Sequence, residues 1–226
     1  MKKKPYAVIF DMDGVIFDSE KLSMDCWKCV AQKYKIPNIE QNIYSCMGKV
    51  KDDAKAIMKQ NYGETFDYEK YRAEKNALYK QFYAEKRLQL KKGVIEILTF
   101  LKSNNVSIGL ATSTASKVVS LELMDYNLYH YFDVLVCGDE VLHGKPNPEV
   151  YLKACEKIGY DPKCCYAIED SVNGVLSAQN ACMNIILVPD MIKIEEMNLD
   201  MSKVCIKNSL IEVVEMFKDM RKEKEC

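Results

Sequence analysis

Two carboxylates, Asp11 and Asp13, directly follow a short apolar segment near the start of the chain. That segment, residues 6–10, is a continuous run of apolar and aromatic residues, which is typical of a strand buried on both faces of a parallel sheet. Because ligands of open α/β sheets bind just beyond the carboxyl ends of the strands, both carboxylates are expected at the mouth of a ligand site. Gly14 then lets the backbone turn sharply and approach a ligand closely. Acidic residues and a glycine can also simply end a strand, so this segment alone leaves both interpretations open.

Three more segments carry groups that could act together with these carboxylates. Thr112 and Ser113 follow a predicted strand, where their hydroxyls and the N–H groups of the next helix could bind an anion. Lys145 lies in a loop between a glycine and a proline, and Glu169 and Asp170 follow another apolar strand. Each segment alone also has an ordinary structural interpretation, as a helix N-cap, a solvated lysine or the end of a strand. The set as a whole therefore decides the interpretation.

The four segments together resemble the motifs of the haloacid dehalogenase-like hydrolases. They occur in the order of that family and at its strand ends, and the first of them, Phe10-Asp11-Met12-Asp13-Gly14-Val15, resembles the family's Asp-x-Asp motif. The resemblance is greatest to the branch of β-phosphoglucomutase-like proteins and sugar-phosphate phosphatases that carry a helical cap. It implies phosphoryl transfer, a reaction that depends on positioning and on charge neutralisation.

The resemblance also implies a role for each reacting group. Asp11 would attack phosphorus and become an aspartyl phosphate. Asp13 would protonate the leaving oxygen and then act as the base for the water that hydrolyses the intermediate. Thr112, Ser113 and Lys145 would bind the phosphate oxygens. Because an acid stands at Asp13, whereas family members that act on haloacids lack one there, dehalogenation is not expected.

A magnesium site is implied by the same resemblance. Mg²⁺ would lie between the Asp11 carboxylate, the Asp13 backbone carbonyl and Asp170, with Glu169 close by. Oxygen ligands of this kind suit a hard cation that keeps waters and takes a phosphate oxygen.

Residues of the predicted cap leave the substrate open. Trp27 and Lys75 stand where related mutases carry the same residue types, but Lys51 replaces an arginine and Ser23 replaces a histidine. A lysine cannot form the bidentate phosphate contact of an arginine. We therefore predict a Mg²⁺-dependent phosphatase that acts on a sugar or nucleoside monophosphate. The alternatives are a β-phosphoglucomutase-type mutase and, third, a non-enzymatic regulatory module on the same fold.

The elements that must position these groups form a doubly wound parallel α/β sheet with an inserted helical cap. Strands alternate with helices from Gly93 onward, whereas no convincing strand is found between residues 20 and 85. The sequence thus predicts a catalytic core of residues 1–16 and 88–226, a cap of residues 17–87, and a ligand in the crevice between them. Helices are predicted at residues 20–35, 50–61, 67–86, 93–103 and 115–125, and strands at 106–111, 133–137, 164–168, 184–188 and 204–206.

One local departure from the family lies at the end of a later helix. Relatives often have a glycine where this chain has Cys182. A cysteine is hard to place in the left-handed conformation that a glycine adopts there, so a locally different helix end is predicted.

Composition narrows the class of protein further. The net charge is −1 with 29% charged residues over 226 residues, so no polyanion-binding surface is expected. The apolar run near the N-terminus is too short for a signal peptide, and no run approaches the length of a membrane span. The ten cysteines have neither a secretion signal nor zinc-ligand spacing, and they are interpreted as reduced. We expect a cytoplasmic monomer whose partner is a small phosphorylated metabolite, and neither nucleic acid nor membrane.

Overall fold

A computed structural model describes residues 6–46, 51–191, 194, 197 and 199–225. The chain divides into two compact units. One unit comprises the described parts of Met1–Ile16 and Leu90–Cys226, and the other comprises those of Phe17–Gln89.

The first unit contains the strands β1 Ala7–Phe10, β2 Ser107–Ala111, β3 Val134–Val136, β4 Cys165–Glu169, β5 Asn184–Leu187 and β6 Val204–Ile206. They form a parallel sheet with the strand order β3-β2-β1-β4-β5-β6. Strand β1 lies between β2 and β4, with Phe10 opposite Leu110 on one side and Ile168 on the other. The predicted doubly wound α/β fold is confirmed.

Helices cover both faces of this sheet, which is why β1 and β2 are buried along their whole length. The side chains of Ala7 and Ile9 belong to a core shared with the helices Glu149–Ile158 and Val172–Asn180. On the opposite face, the ring of Phe217 in α9 lies 5.3 Å from that of Tyr166. The helices described in this unit are α5 Val94–Ser103, α6 Ser116–Asp125, α7 Glu149–Ile158, α8 Val172–Asn180 and α9 Leu210–Glu225.

The second unit is built from helices, as the sequence predicts. Its core includes Trp27, whose ring stacks on Tyr68 at a centroid distance of 6.2 Å. The Tyr34 hydroxyl and Lys33 both donate to the Glu74 carboxylate and so join the first helix to the last. The short helix Ile39–Tyr44 is not predicted from the sequence, because six residues are too few for a helical period to stand out. The helices are α1 Ser19–Tyr34, α2 Ile39–Tyr44, α3 Lys51–Tyr62 and α4 Tyr68–Ala84.

The end of α8 corrects one expectation. The sequence predicts a locally different helix end at Cys182, because a cysteine is unfavourable in the left-handed conformation. Instead, Cys182 itself adopts that conformation, with φ 61. Its N–H donates to the Gln179 carbonyl at 2.9 Å, and its side chain is exposed. The chain keeps the turn and accepts the strain of a side chain there.

Replacing Cys182 by glycine is expected to stabilise the protein by about 0.5–1 kcal/mol. Glycine removes the cost of a side chain in the left-handed region, and this gain exceeds the loss of backbone entropy. The free energy of unfolding in urea measures the effect. Cys29→Gly is the matched control, because Cys29 is also exposed but lies inside α1, where glycine should destabilise. A less stable Cys182→Gly protein would contradict the assignment of strain.

None of the helices in the described part of the chain combines the length and the apolar character that crossing a membrane requires.

Candidate active site

The central strand β1 places Asp11 at the carboxyl edge of the sheet. The Asp11 N–H donates to the Ile168 carbonyl of β4 at 3.0 Å, which continues the strand pairing by one residue. The Asp11 side chain is buried, and its Oδ1 accepts a hydrogen bond from Lys145 Nζ at 2.5 Å. A buried carboxylate and a buried ammonium therefore form a direct ion pair at the end of the first strand.

Lys145 uses all of its hydrogen-bond donors inside this site. Its Nζ donates to Asp11 Oδ1, to Glu169 Oε1 at 2.6 Å and to the Ala111 carbonyl at 3.1 Å. An ammonium has three N–H groups, so these three acceptors saturate it. Burial by itself lowers the pKa of Lys145, but the carboxylates of Asp11 and Glu169 outweigh burial and raise that pKa above its usual range. Lys145 is therefore a permanent cation.

Glu169, the last residue of β4, is fully buried and accepts donors on both carboxylate oxygens. Oε1 accepts from Lys145 and, at 2.6 Å, from the Tyr151 hydroxyl. Oε2 accepts from the Asp170 N–H and the Ser171 hydroxyl, both at 3.3 Å. A buried charge requires such partners, and here four donors supply them.

Two glycines make room for these acidic side chains. A Cβ on Gly174 would lie 1.9 Å from Glu169 Oε2, and a Cβ on Gly14 would lie 2.1 Å from Asp170 Oδ2. Gly14 also has φ +80, a conformation that favours glycine. The glycine of the Asp-x-Asp-Gly segment therefore lies directly against the second acidic segment.

Asp11, Glu169 and Asp170 form an acidic group whose potential ligand oxygens lie within 4.8 Å of one another. Burial raises the pKa of the Asp11 carboxyl above its usual range, Lys145 opposes this shift, and the charges of Glu169 and Asp13 add to it. Three carboxylates thus face a single ammonium. This arrangement fits a hard divalent cation, which takes oxygen ligands and would offset the excess negative charge.

The Asp13 carboxylate has a different environment from that of Asp11. Its Oδ2 accepts a hydrogen bond from the Thr114 hydroxyl at 2.7 Å. Asp13 is half-buried, and its carboxylate does not belong to the acidic group. The two aspartates therefore differ in partners: the first is paired with a cation and the second with a hydroxyl.

The hydroxyl segment after β2 completes this edge of the sheet. Thr112 is buried, and its Oγ1 accepts the N–H of Thr114 at 3.0 Å. Ser113 is exposed, and its backbone carbonyl lies where a Cβ on Gly138 would be only 2.1 Å away. Helix α6 begins at Ser116, so this segment leads directly into a helix N-terminus, where anions are favoured.

Comparison with known proteins decides the family. Residues 8–188 match the family model described as haloacid dehalogenase-like hydrolase. The chain belongs to this family.

Individual relatives of this haloacid dehalogenase-like hydrolase agree on the branch. It is 35% identical over 175 residues to "Phosphorylated carbohydrates phosphatase" from Thermotoga maritima, covering 77% of this chain and 81% of the relative. It is 31% identical over 194 residues to "Probable pseudouridine-5'-phosphatase" from Drosophila melanogaster, covering 83% of each. The crystal structure of a "putative beta-phosphoglucomutase" from Thermotoga maritima matches with a TM-score of 0.77 and 32% identity, covering 95% of this chain and 99% of that one. The predicted family and the phosphatase-type enzyme class are confirmed.

In this hydrolase, the loop that carries Lys145 is anchored from two sides. Ser177 Oγ and Asn180 Nδ2 of α8 donate to the carbonyls of Asn147 and Pro146 at 2.7 and 3.1 Å. At the start of α7, the Glu149 carboxylate accepts the N–H groups of residues 142 and 143 at 2.8 and 2.9 Å. The lysine is thereby fixed by neighbouring helices, although its segment has no regular structure of its own.

Tyr151 is a site residue that the sequence does not single out. Its hydroxyl bonds to Glu169, and Lys145 Nζ lies 4.9 Å from the centre of its ring. Burial first, and then the negative charges of Glu169 and Asp11, raise the pKa of Tyr151 well above its usual value, so the hydroxyl remains a donor. A signal does exist in the sequence, since Tyr151 stands on the apolar face of α7 and a buried tyrosine hydroxyl needs a partner.

The predicted cap residues belong to the helical unit. Trp27 is buried in the core of the helical unit, and Lys75 Nζ contacts Asn76 Oδ1 at 3.4 Å. Lys51 is the first residue of α3, but its side chain lies outside the described residues. The helical unit also has a cleft of about 360 Å³, which is lined by Asp18, Lys21, Leu22, Asp25, Lys86, Arg87 and Gln89.

Proposed function

We propose that this protein is a Mg²⁺-dependent phosphatase that hydrolyses a small phosphorylated metabolite through an aspartyl-phosphate intermediate. The observation that carries the proposal is the buried ion pair between Asp11 and Lys145, placed beside the acidic group of Asp11, Glu169 and Asp170. It combines a nucleophile, a cation for phosphate oxygens and a set of ligands for a divalent ion.

The reaction takes two displacement steps at phosphorus. An oxygen of Asp11 attacks, the bond from phosphorus to the ester oxygen breaks, and Asp13 gives its proton to the departing alcohol. Asp13 then removes a proton from a water that attacks the same phosphorus, which releases inorganic phosphate and restores the Asp11 carboxylate. The hydrogen bond from Thr114 to Asp13 supports this assignment, because it orients the second carboxylate independently of the first.

The phosphate oxygens would be held by Lys145, Thr112 and Ser113. Asp11 and Asp170, together with the Asp13 backbone carbonyl, would hold Mg²⁺, with Glu169 close by. The ion supplies charge neutralisation for the transferring phosphoryl group and favours the ionised form of Asp11. Glu169 already accepts four hydrogen bonds. Its role is therefore to hold the neighbouring groups of the site in place, and Asp11 and Asp170 would be the main side-chain ligands of the ion.

The names of the relatives support the proposed substrate class, and a metabolite screen tests it. Their names include phosphatases of phosphorylated carbohydrates and of pseudouridine 5'-phosphate, which supports a sugar or nucleoside monophosphate. Release of inorganic phosphate should be measured across both classes with Mg²⁺ present. If no member is hydrolysed above the rate for a generic aryl phosphate, this substrate class is wrong.

A mutase is the second candidate, because one similar solved structure carries that name. A mutase must hold a second phosphate, so Lys51→Ala or Lys75→Ala should abolish isomerisation. In a phosphatase, these changes should alter KM for particular substrates, while hydrolysis of an aryl phosphate stays within about tenfold. The decisive assay is conversion of β-glucose 1-phosphate to glucose 6-phosphate with glucose 1,6-bisphosphate as activator, and we expect no efficient conversion.

Asp170→Ala should raise the Mg²⁺ concentration required for half-maximal activity by at least about tenfold, since one ligand of a few is lost. Ca²⁺ should inhibit the parent enzyme, because it accepts more ligands at longer distances and spoils the in-line geometry. A Mg²⁺ titration of steady-state turnover measures both effects. Asp200→Ala is the control, because Asp200 is an exposed aspartate that caps a short turn. Undiminished activity of the parent in excess chelator would exclude the metal assignment.

A further inference from the structure

Tyr151 and Lys145 share a single acceptor, Glu169 Oε1, and each lies 2.6 Å from it. Tyr151 is fully buried in the first turn of α7, and its ring faces the lysine ammonium. Among the described residues, the Tyr151 hydroxyl forms no hydrogen bond to Asp11 or to the exposed edge of the site. Tyr151 is thus bonded to Glu169, which is also an acceptor of Lys145.

The donors of Lys145 set a condition on phosphate binding. All three N–H groups of the ammonium are already committed, to Asp11, Glu169 and the Ala111 carbonyl. If Lys145 is to donate to a substrate phosphate, as proposed above, it must release one of these acceptors. An acceptor that is buried and charged can be released at low cost only if another donor remains on it.

Glu169 is the acceptor that meets this condition. Its Oε1 is fully buried but keeps the Tyr151 hydroxyl when Lys145 turns away. Asp11 and Ala111 have no second side-chain donor on the same oxygen among the hydrogen bonds of the described residues. Of the two charged acceptors, Glu169 is therefore the one that Lys145 can exchange for a phosphate oxygen at the lower cost.

We infer that Tyr151 is a positioning residue for phosphate binding, whose hydroxyl keeps Glu169 hydrogen-bonded while Lys145 moves from Glu169 to the phosphate of the substrate. The inference rests on the proposed role of Lys145 as a phosphate ligand. It gives Tyr151 a function through Glu169 and Lys145, with no contact to the reacting atoms.

Tyr151→Phe removes only the hydroxyl and keeps the ring against Lys145. We expect the inhibition constant of inorganic phosphate and the KM for an aryl phosphate each to rise at least about tenfold, while kcat changes by less than about threefold. The reason is that the exchange accompanies binding, so the ground state and the transition state share the loss. Competitive inhibition by phosphate gives one measurement, and calorimetric titration of the Mg²⁺-loaded protein with phosphate gives another.

Tyr166→Phe is the matched control. Tyr166 lies on the same strand as Glu169, but its hydroxyl contacts only the Met220 sulfur, at 3.9 Å, among the hydrogen bonds of the described residues. Its phosphate affinity and KM should stay within twofold of the parent. A purely structural role for Tyr151 would instead lower thermal stability or kcat and leave the affinity for phosphate unchanged.

The outcomes separate this inference from the proposed function. If the parent turns over and binds phosphate, but Tyr151→Phe binds phosphate within twofold of it, the inference is overturned and the phosphatase stands. If neither the parent nor Tyr166→Phe binds phosphate or turns over, both fail together. Should Tyr151→Phe not fold, replacement of Tyr151 by 4-aminophenylalanine, which keeps an N–H donor, provides the second test. Phosphate affinity within threefold of the parent then supports a donor role, and a tenfold loss in the folded protein contradicts it.

Discussion

Asp11→Asn is expected to lower turnover by at least a thousandfold while the protein stays folded. An amide lacks the nucleophilicity for attack on phosphorus and the charge that a cation ligand needs. Stability should be retained, because asparagine has nearly the same shape as aspartate and its amide oxygen can still accept the hydrogen bond from Lys145. With a neutral asparagine at position 11, Lys145 still forms its ion pair with Glu169 at 2.6 Å, so that one positive charge faces one negative charge.

Two measurements on purified protein test this expectation together. Steady-state release of inorganic phosphate gives turnover, and urea unfolding shows whether the variant is folded. Asp161→Asn is the control, because the Asp161 side chain caps a short turn next to β4, and this variant should keep full activity. A folded Asp11→Asn protein with more than a tenth of the parent rate would mean that Asp11 is not the nucleophile.

The sheet was predictable because its strands are buried on both faces. Residues 7–10 are all fully buried, and such strands read as continuous apolar runs that end in polar residues. The same property predicted which segments end at the site edge, since parallel strands bring their carboxyl ends to one side. Helix α2 escaped prediction because its six residues contain less than two helical turns.

The sequence predicts which residues form the site much better than it predicts which of them contact one another. Nothing in the spacing of Asp11 and Asp13 shows that one pairs with Lys145 and the other with Thr114, 101 residues away. The family resemblance implies that Lys145 binds the phosphate, whereas in the structure its three N–H groups all donate to protein acceptors. Donor and acceptor counts of this kind depend on side-chain geometry, which residue types and intervals do not fix.

Cys182 illustrates the opposite difficulty. Residue propensity argued against a left-handed cysteine, yet Cys182 adopts that conformation between the end of α8 and the start of β5. Tertiary packing can override a local cost of this size, because many contacts on either side of the turn depend on it. The prediction for Cys182 was wrong because the free-energy cost of one left-handed residue is small compared with the packing of the helix and strand on either side of it.

Lys145→Met has the largest expected effect on stability. The methionine keeps most of the apolar stem, but it leaves the carboxylates of Asp11 and Glu169 buried without their ammonium. Removing one partner from a buried ion pair typically costs about 3–5 kcal/mol, because an uncompensated charge remains in the interior. Turnover should also fall by at least a hundredfold, since the cation that offsets the phosphate charge is gone.

The matched control for this loss is Lys157→Met. Lys157 also lies 2.6 Å from a carboxylate, Glu140, but 39% of its side chain is exposed, so its removal should cost at most about 1 kcal/mol. Urea unfolding compares the two variants directly. Adding Glu169→Gln to Lys145→Met should then recover part of the lost stability, because one of the two uncompensated charges is removed, and the double-mutant cycle isolates that coupling. If Lys145→Met were no less stable than Lys157→Met, the buried ammonium would not be what holds the two carboxylates together.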